Sequence, residues 1–398
     1  MHPADEIRGS KSKKLSKKRI ILGVTGSIAS VETIKLSREL IRHGADVIPV
    51  MSPAATKIIH PNAIWFATGN KPIIELTGAT EHVTFCGRVK NPADLLLISP
   101  CTANTISKIA HGIDDTSVTT FASTAIGSSV PILIVPAMHI SMFDHKIVQK
   151  NIDICKKVGI KFVEPKIEKN KAKMANINEI VANVIRETSK KDLDNKKILI
   201  IGGPTAEPVD DIRIITNRSS GKTAVFLSKN AFYRGADVEL WYSKGTEPPP
   251  SFIKTNFFES IDDILKLIEK KDIKKFDVII ICAALSDYAP KKHKGKIKSG
   301  KEKLTIELIP TPKIIPKLRK KSPKSKIIGF KVEDERDNLI DRAKALLINN
   351  NIDFVVANTI KGFKGDDNEI WLIDKKGKTV HKKGNKEELT EYILDSIK

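Results

Sequence analysis

The stretch that decides the fold runs from Ile198 to Lys222 and reads ILIIGGPTAEPVDDIRIITNRSSGK. It opens with Ile198 to Ile201, an apolar run of the kind found in buried strands. Gly202 and Gly203 follow, where the backbone turns tightly and a side chain would block a ligand. Ser219, Ser220 and Gly221 come after a further apolar run, and Lys222 adds a positive charge. A strand, a glycine turn, then small hydroxyl residues with a lysine can present backbone N–H groups to a phosphate. It is not the Walker pattern, which sets Gly-Lys-Ser/Thr four residues after a first glycine. On spacing alone, a phosphate site and a plain structural turn are equally good readings.

Outward from this stretch the same rhythm appears on both sides. Upstream, Arg19 to Val24 reads as a strand, Thr25-Gly26-Ser27-Ile28-Ala29-Ser30 as a turn, and the chain to His43 as a helix. That helix has apolar Ile34, Leu36, Leu40 and Ile41, and Gly44 caps its end. Ala45 to Met51 is the next strand, with Ser52 at its carboxyl end; a β-α-β opening predicts a parallel sheet. Strands at 94–99 and 130–135 end in proline-containing segments, 100–105 and 136–143. Ligands of open α/β sheets sit beyond the carboxyl ends of strands, so both segments and Gly26-Ser27 should converge on one crevice. A closing helix spans Ile177 to Ile185, and the charged run 189–196 reads as a linker.

Downstream, a helix after Lys222 leads to strands at 237–242 and 278–283, the latter ending in Ala284-Leu285-Ser286-Asp287-Tyr288. A lysine-rich stretch, 291–303, precedes expected strands at 304–308 and 326–330. A helix over about 337–348, strands at 354–357 and 369–373, and a last helix ending at Ile397 complete the chain. The expected organisation is a basic disordered arm over 1–18, one α/β domain over 19–188, the linker, and a second α/β domain over 197–398.

The bulk properties narrow the function classes. No run approaches the roughly 18 apolar residues of a membrane helix, and no apolar stretch of signal-peptide length precedes the first strand. The four cysteines (Cys86, Cys101, Cys155 and Cys282) lie far apart without metal-like pairing, as expected of reduced thiols in a cytoplasmic protein. The net charge of +21 raises the alternative of a nucleic-acid-binding protein. The lysines, however, are spread along the whole chain and aromatic residues make up only 5%, which fits a solvated, heat-adapted surface better.

Taken together the motifs resemble the bifunctional coenzyme A biosynthesis proteins, which join a phosphopantothenoylcysteine decarboxylase to a phosphopantothenate–cysteine ligase. The resemblance covers residues 19–398 and implies two Rossmann-like α/β domains: a flavodoxin-like flavoprotein domain, then a ligase domain. In the first, Gly26, Ser27, Ile28 and Ala29 resemble the flavin-phosphate turn of the flavin-dependent cysteine decarboxylases. Residues 100–105 match their Pro-Ala-Ser-Ala-Asn-Thr segment, and 115–120 their next flavin-contacting loop. The resemblance therefore assigns FMN to Gly26 to Ala29, Ser52, Thr102, Asn104 and Thr119. His82 falls at the family's active-site histidine, and His139 replaces the asparagine of Pro-X-Met-Asn-X-X-Met. Residues 164–174 lack the proton-donating cysteine of the family's clamp; Cys155 is not in the matching position, and a lysine of 169–173 or water is the substitute. The chemistry implied is oxidation of the thiol side chain to a thioaldehyde, which gives the carboxylate's electrons a sink as CO2 leaves.

In the second domain, residues 217–222 match the ligase segment Asn-X-Ser-Ser-Gly-Lys and 283–288 its Ala-Ala-Val-Ala-Asp-aromatic segment. Lys296-Ile297-Lys298 is similar to its Lys-Ile-Lys loop, and 312–315 to Pro-Asp-Ile-Leu/Val with Lys313 replacing the aspartate. Gly329-Phe330 with Glu333, Val356-Ala357-Asn358 and Asp367-Asn368 complete the set. The implied reaction activates 4′-phosphopantothenate as an acyl-nucleotidylate with CTP or ATP and Mg2+, and the amine of L-cysteine attacks. Asn217 would hold the acyl intermediate and Lys296 would neutralise charge during attack. Ala283, Asp287, Lys296, Pro312, Lys313, Ile314, Ile315, Phe330 and Lys344 would bind the nucleotide. Trimeric flavin domains and dimeric ligase domains follow by family analogy. The alternative within the family is a ligase whose flavin domain is an inactive scaffold.

Overall fold

The computed structural model describes every residue except Met1, Lys169, Asn170, Thr246, Lys301, Glu335, Arg336, Phe363 and Lys364. The chain divides into two compact units, Met1–Ser189 and Lys190–Lys398.

In the first unit a short helix α1 (Pro3–Glu6) precedes β1 (Arg19–Val24), α2 (Thr33–Arg42) and β2 (Asp46–Met51). Three helices, α3 (Pro53–Thr56), α4 (Pro61–Thr68) and α5 (Glu81–Cys86), lead to β3 (Leu95–Cys101), α6 (Ala103–Ala110), α7 (Ser117–Ser128) and β4 (Ile132–Pro136). Then come β5 (Met138–His139), α8 (Ile140–Phe143), α9 (Lys146–Lys157), β6 (Lys161–Phe162), β7 (Lys166–Glu168), β8 (Lys171–Lys173) and α10 (Ile177–Thr188). The main sheet is parallel, in the order β2-β1-β3-β4-β6. Both faces are covered, so its strands are apolar throughout rather than alternating; β3 is buried along its whole length. On one face Ile21, Leu96 and Ile98 pack with Val118, Phe121 and Ala122 of α7.

The expected disordered arm is instead folded onto this unit. Leu15 is fully buried, and Glu39, buried on α2, takes ion pairs from Lys11 and Arg42. Gly44, at φ +102°, brings the chain so close to Ser16 that a Cβ would lie 2.9 Å from its nitrogen. Composition scored the basic residues and missed that one leucine and a buried carboxylate anchor them.

The second unit runs β9 (Lys197–Gly202), β10 (Ala206–Pro208), β11 (Ile214–Thr216), α11 (Lys222–Tyr233), β12 (Asp237–Tyr242), β13 (Lys254–Phe257), α12 (Ile261–Lys270) and β14 (Val278–Ile281). It continues β15 (Tyr288–Pro290), β16 (Leu308–Pro310), α13 (Ile314–Lys321), β17 (Lys326–Glu333), α14 (Leu339–Asn349), β18 (Phe354–Thr359), β19 (Asp367–Asp374), β20 (Thr379–Asn385) and α15 (Lys386–Asp395). Its eight-stranded sheet has the order β13-β12-β9-β14-β17-β18-β19-β20. It is parallel as far as β18 and antiparallel from there.

Alternation along β9 sorts the core. Ile198 and Ile200 face α11 and α15, while Leu199 and Ile201 face α12, α13 and α14. The strand expected at 304–308 is displaced: the chain pairs only at Leu308–Pro310, against β15, leaving Leu304 and Ile306 exposed. The expected linker 189–196 is also corrected. Leu193 is buried in the second core, and Arg234 binds Asp192 at 2.8 and 3.0 Å. A charged run becomes part of a domain when its charges are paired and its one leucine finds the core.

Candidate active sites

In the first unit, the turns beyond the carboxyl ends of β1 to β4 are stitched together. Thr25 Oγ1 donates to the Pro100 carbonyl (2.8 Å) and accepts from the Thr102 N–H (3.1 Å). Ser27 Oγ donates to the Ala137 carbonyl (3.3 Å), the Ser52 N–H to Val24 (3.0 Å), and Ser117 Oγ to Met51 (3.0 Å). Gly26 lies against α3, where an added Cβ would come within 2.5 Å of the Ala54 methyl. The turns that carry Ser27, Ser52 and Thr102 thus adjoin one another, and the predicted FMN residues have unequal freedom. Ser27, Ser52 and Thr102 cap the helical turns that follow them, so those backbone N–H groups are aimed by the hydroxyls. Thr119 is buried and its hydroxyl closes a capping box with Thr116, so its part is to hold the α7 N-terminus. Asn104 is exposed, Ala29 is half-buried, and Ile28 presents an apolar side chain at 77% exposure.

His82 sits in the first turn of α5, half-buried, and its Nδ1 is buried without a hydrogen-bond partner among the described residues. An orphaned buried nitrogen costs stability unless a bound molecule completes it. His139 is exposed and caps α8 by accepting from the Ser141 N–H (3.3 Å). Its strand β5 pairs with β8, setting Met138 opposite Ala172 and His139 opposite Lys171. The altered clamp is therefore a hairpin added to the His139 segment. Of its lysines, Lys173 is held by Glu168 at 2.7 Å, Lys171 is exposed, and Lys169 lies outside the described residues. Cys155 is buried on α9, and burial pushes its thiol up to about 11, so it is a core residue rather than a proton donor.

In the second unit, residues 217–222 separate two cavities. The larger, ≈ 1040 Å³, is lined by Asn217, Ser219, Ser220 and Lys222 together with Phe257 and Phe258. The smaller, ≈ 100 Å³, is lined by 219–224, Ala283, Ala284, Phe330, Asn358, Asn368 and Lys386. Gly221 is required here: its φ is +77°, and a Cβ would lie 2.1 Å from Tyr242 Oη. Gly202 and Gly203 make room for protein rather than ligand. Their Cβ atoms would strike the Ala224 methyl at 2.1 Å and the Ser243 carbonyl at 2.3 Å. The Asn217 amide donates to the Ala284 carbonyl at 2.8 Å, tying the 217–222 and 283–288 motifs together; Asn217 lines the larger cavity and Ala284 the smaller.

The other predicted residues disperse. Asp287 is exposed and paired with Lys313 at 2.5 Å. Pro312 is exposed, Ile315 half-buried, and Ile314 is a buried core residue under α13. Lys344 is exposed on α14. Lys296 is exposed on a loop held by two aspartates: Ile297 N–H binds Asp210 (3.1 Å) and Gly295 N–H binds Asp211 (2.9 Å). Burial raises the Asp210 carboxyl, but the N–H groups of Ile297, Arg213 and Ile212 and the Arg213 guanidinium outweigh that and hold it well below the usual range. None of these seven predicted residues lines either cavity. Sequence reading missed Arg213, Asp366 and Lys386. The first two lie in or beside quoted motifs, whereas Lys386 carries no local signal beyond opening a helix.

Family models match both units: "Flavoprotein" over residues 8–189, and "DNA/pantothenate metabolism flavoprotein C-terminal domain" over 193–398. The chain is 46% identical to the coenzyme A biosynthesis bifunctional protein CoaBC of Thermococcus kodakarensis, covering 100% of this chain and 99% of that one. The chain belongs to the CoaBC family. A second CoaBC, from Methanocaldococcus jannaschii, is 41% identical, over 100% of this chain and 98% of its own. Among solved structures, the C-terminal domain of a CoaBC matches at 30% identity and TM-score 0.45, covering 52% of this chain and 96% of that one. As a CoaBC, the protein serves coenzyme A biosynthesis with a decarboxylase and a ligase on one chain, the first unit being a flavoprotein. Among the described residues no helix is long and apolar enough to cross a membrane.

Proposed function

We propose that the second unit joins L-cysteine to 4′-phosphopantothenate through an acyl-nucleotidylate, and that the first unit decarboxylates the product to 4′-phosphopantetheine. The observation that carries this reading is Asn217, which lines the large cavity and is tethered at 2.8 Å to Ala284, a residue lining the small one. A carboxylate is a poor electrophile, and the nucleotidyl group makes it a substrate for the amine. Asn217 holds the activated acyl group at the junction. The α11 N-terminus and Lys222 receive phosphate oxygens. The nucleotide, CTP or ATP, brings its Mg2+. Lys296, on its tethered loop, supplies positive charge during attack once that loop closes over the substrate. Asp287 and Lys313, with Pro312, Ile315 and Lys344, meet the nucleotide's outer parts.

Two features of the first unit support FMN: Ile28 offers an exposed apolar surface beside the turns that Ser27, Ser52 and Thr102 cap, and the His82 Nδ1 lacks a partner among the described residues. Bound flavin supplies a two-electron sink that turns the cysteine thiol carbon into one able to stabilise loss of CO2. His82 orients the substrate and handles the proton at its imidazole. His139 binds the substrate carboxylate, and Lys171, opposite it, donates the last proton in place of the clamp cysteine. The unpartnered His82 nitrogen favours an active decarboxylase over an inert scaffold.

The exposed apolar residues Ile212, Ile214, Tyr288, Leu308 and Ile309 on and beside the β10–β11 and β15–β16 hairpins support a dimer of ligase units. The flavin units trimerise, and the enzyme works in the cytoplasm. The test is incubation of the purified protein with phosphopantothenate, cysteine, Mg2+ and either CTP or ATP, following products by mass. Phosphopantetheine is the expected end product; its absence with both nucleotides refutes the reading.

A further inference from the structure

The smaller cavity holds a charge that the reactions above leave unused. Lys386 opens α15, is only 6% exposed, and lines this cavity. Its backbone N–H donates to the Asp366 carbonyl at 2.8 Å, which pins the start of the helix in place. Its ammonium has no hydrogen bond or ion pair among the described residues. Burial of the residue lowers the ammonium below the usual lysine range, the Lys222 charge adds to that and Asp366 only partly offsets it, so an anion bound in the cavity stabilises the charged form. Lys222, the first residue of α11, lines the same cavity, and its ammonium is paired at 2.6 Å with the Asp366 carboxylate, which is 80% exposed. Two helix N-termini, of α11 with 12 residues and α15 with 10, thus open on one small space, and Gly221 supplies no capping side chain to α11. Asn358 and Asn368 bring further amides. Among the described residues the lining holds two lysines and no carboxylate, Asp366 meeting it through Lys222, and that balance favours a multiply charged anion.

We propose that Lys386 is a second cationic ligand for the nucleotide's phosphate chain, and that Asp366 is the counter-ion which Lys222 releases when that chain enters. This rests on the ligase reading of the second unit. The cavity, at ≈ 100 Å³, takes phosphate and leaves base and sugar outside. On binding, the Lys222–Asp366 pair is exchanged for contacts from Lys222 and Lys386 to phosphate oxygens, and the exposed carboxylate swings into water. Asp366 therefore holds Lys222 in the empty site, where two facing ammonium groups would otherwise repel.

The test is calorimetric titration of the full chain with CTP, ATP and inorganic tripolyphosphate, each with Mg2+, alongside thermal melting. Lys386→Met should weaken binding of tripolyphosphate and of the preferred nucleotide by about tenfold or more, the loss of one charge-assisted contact. Its Tm should equal or exceed the parent's, because a desolvated charge has gone. Lys386→Gln, which keeps length and polarity, is the second variant, and Lys386→Arg should restore most of the affinity. Asp366→Asn should tighten tripolyphosphate binding a few-fold, about the scale of an exposed ion pair. Affinities of both Lys386 variants within twofold of the parent, or weaker anion binding by Asp366→Asn, would overturn the proposal. A parent that binds tripolyphosphate but neither nucleotide would instead overturn the ligase reading, and the Lys386 comparison would still be decided on tripolyphosphate.

Discussion

At the residue scale, substitutions at two side chains should separate the two reactions. Asn217 donates to Ala284 at 2.8 Å. Asn217→Asp replaces that donor with a carboxylate facing a carbonyl oxygen and, beyond it, an anionic acyl phosphate. Ligation should fall by about 100-fold or more, on the scale of losing an oriented donor at a charged intermediate. Mass detection of the phosphopantothenoyl-cysteine adduct checks it, and normal adduct yield would remove Asn217 from the reaction. His82→Asn should leave adduct formation intact and reduce anaerobic CO2 release by about 100-fold or more, the usual contribution of a positioned acid–base group. Full decarboxylation by this variant would reduce His82 to a packing role. Both residues were legible in the sequence because they sit inside ordered motifs. Lys386 was not, because a lysine that starts a helix looks the same whether it meets water or a closed cavity.

At the element scale, the start of the second unit is the segment that sequence reading took for a linker. Asp192 binds Arg234 through two contacts and Lys398 at 3.0 Å. Burial raises its carboxyl, but the Arg234 and Lys398 hydrogen bonds and charges outweigh burial and bring it down to about 2 from 3.8. A carboxyl whose folded value is depressed contributes stability above its unfolded value and loses it as pH falls through the folded one. Asp192→Asn should therefore lower unfolding free energy by about 2 kcal/mol at pH 7. The gap between parent and variant should narrow only below pH 3.8, closing near pH 2, in urea titrations run across that range. A gap unchanged from pH 7 to pH 3 would leave the ion pairs without energetic weight. Strand periods were readable because β9, β3 and β14 are short apolar runs bounded by turn residues. The β10–β11 and β15–β16 pairs were not, since two three-residue strands carry too little pattern and depend on contacts made elsewhere.

At the scale of the whole molecule, the two units should be separable. A polypeptide of residues 190–398 is expected to form the adduct with cysteine and nucleotide but release no CO2, while residues 1–189 hold the yellow flavin. Loss of adduct formation from the isolated second unit would show that its site needs the first. The charge of +21 is spread over both units rather than gathered on one stripe, so no salt-sensitive gel shift with duplex DNA or RNA is expected at physiological ionic strength. A shift there would revive a nucleic-acid role. The sequence by itself determined the α/β class, the parallel order implied by alternating strands and helices, and the motifs at strand ends, because backbone periodicity and glycine turns are local properties. Only the tertiary structure decided that residues 2–18 and 190–196 are packed, and that Ile314 is core. It alone placed Lys222 and Lys386 on one cavity, with Asp366 paired to Lys222. Burial and charge pairing arise between segments as far as 206 residues apart, as from Asp192 to Lys398, and no local window of sequence contains both partners.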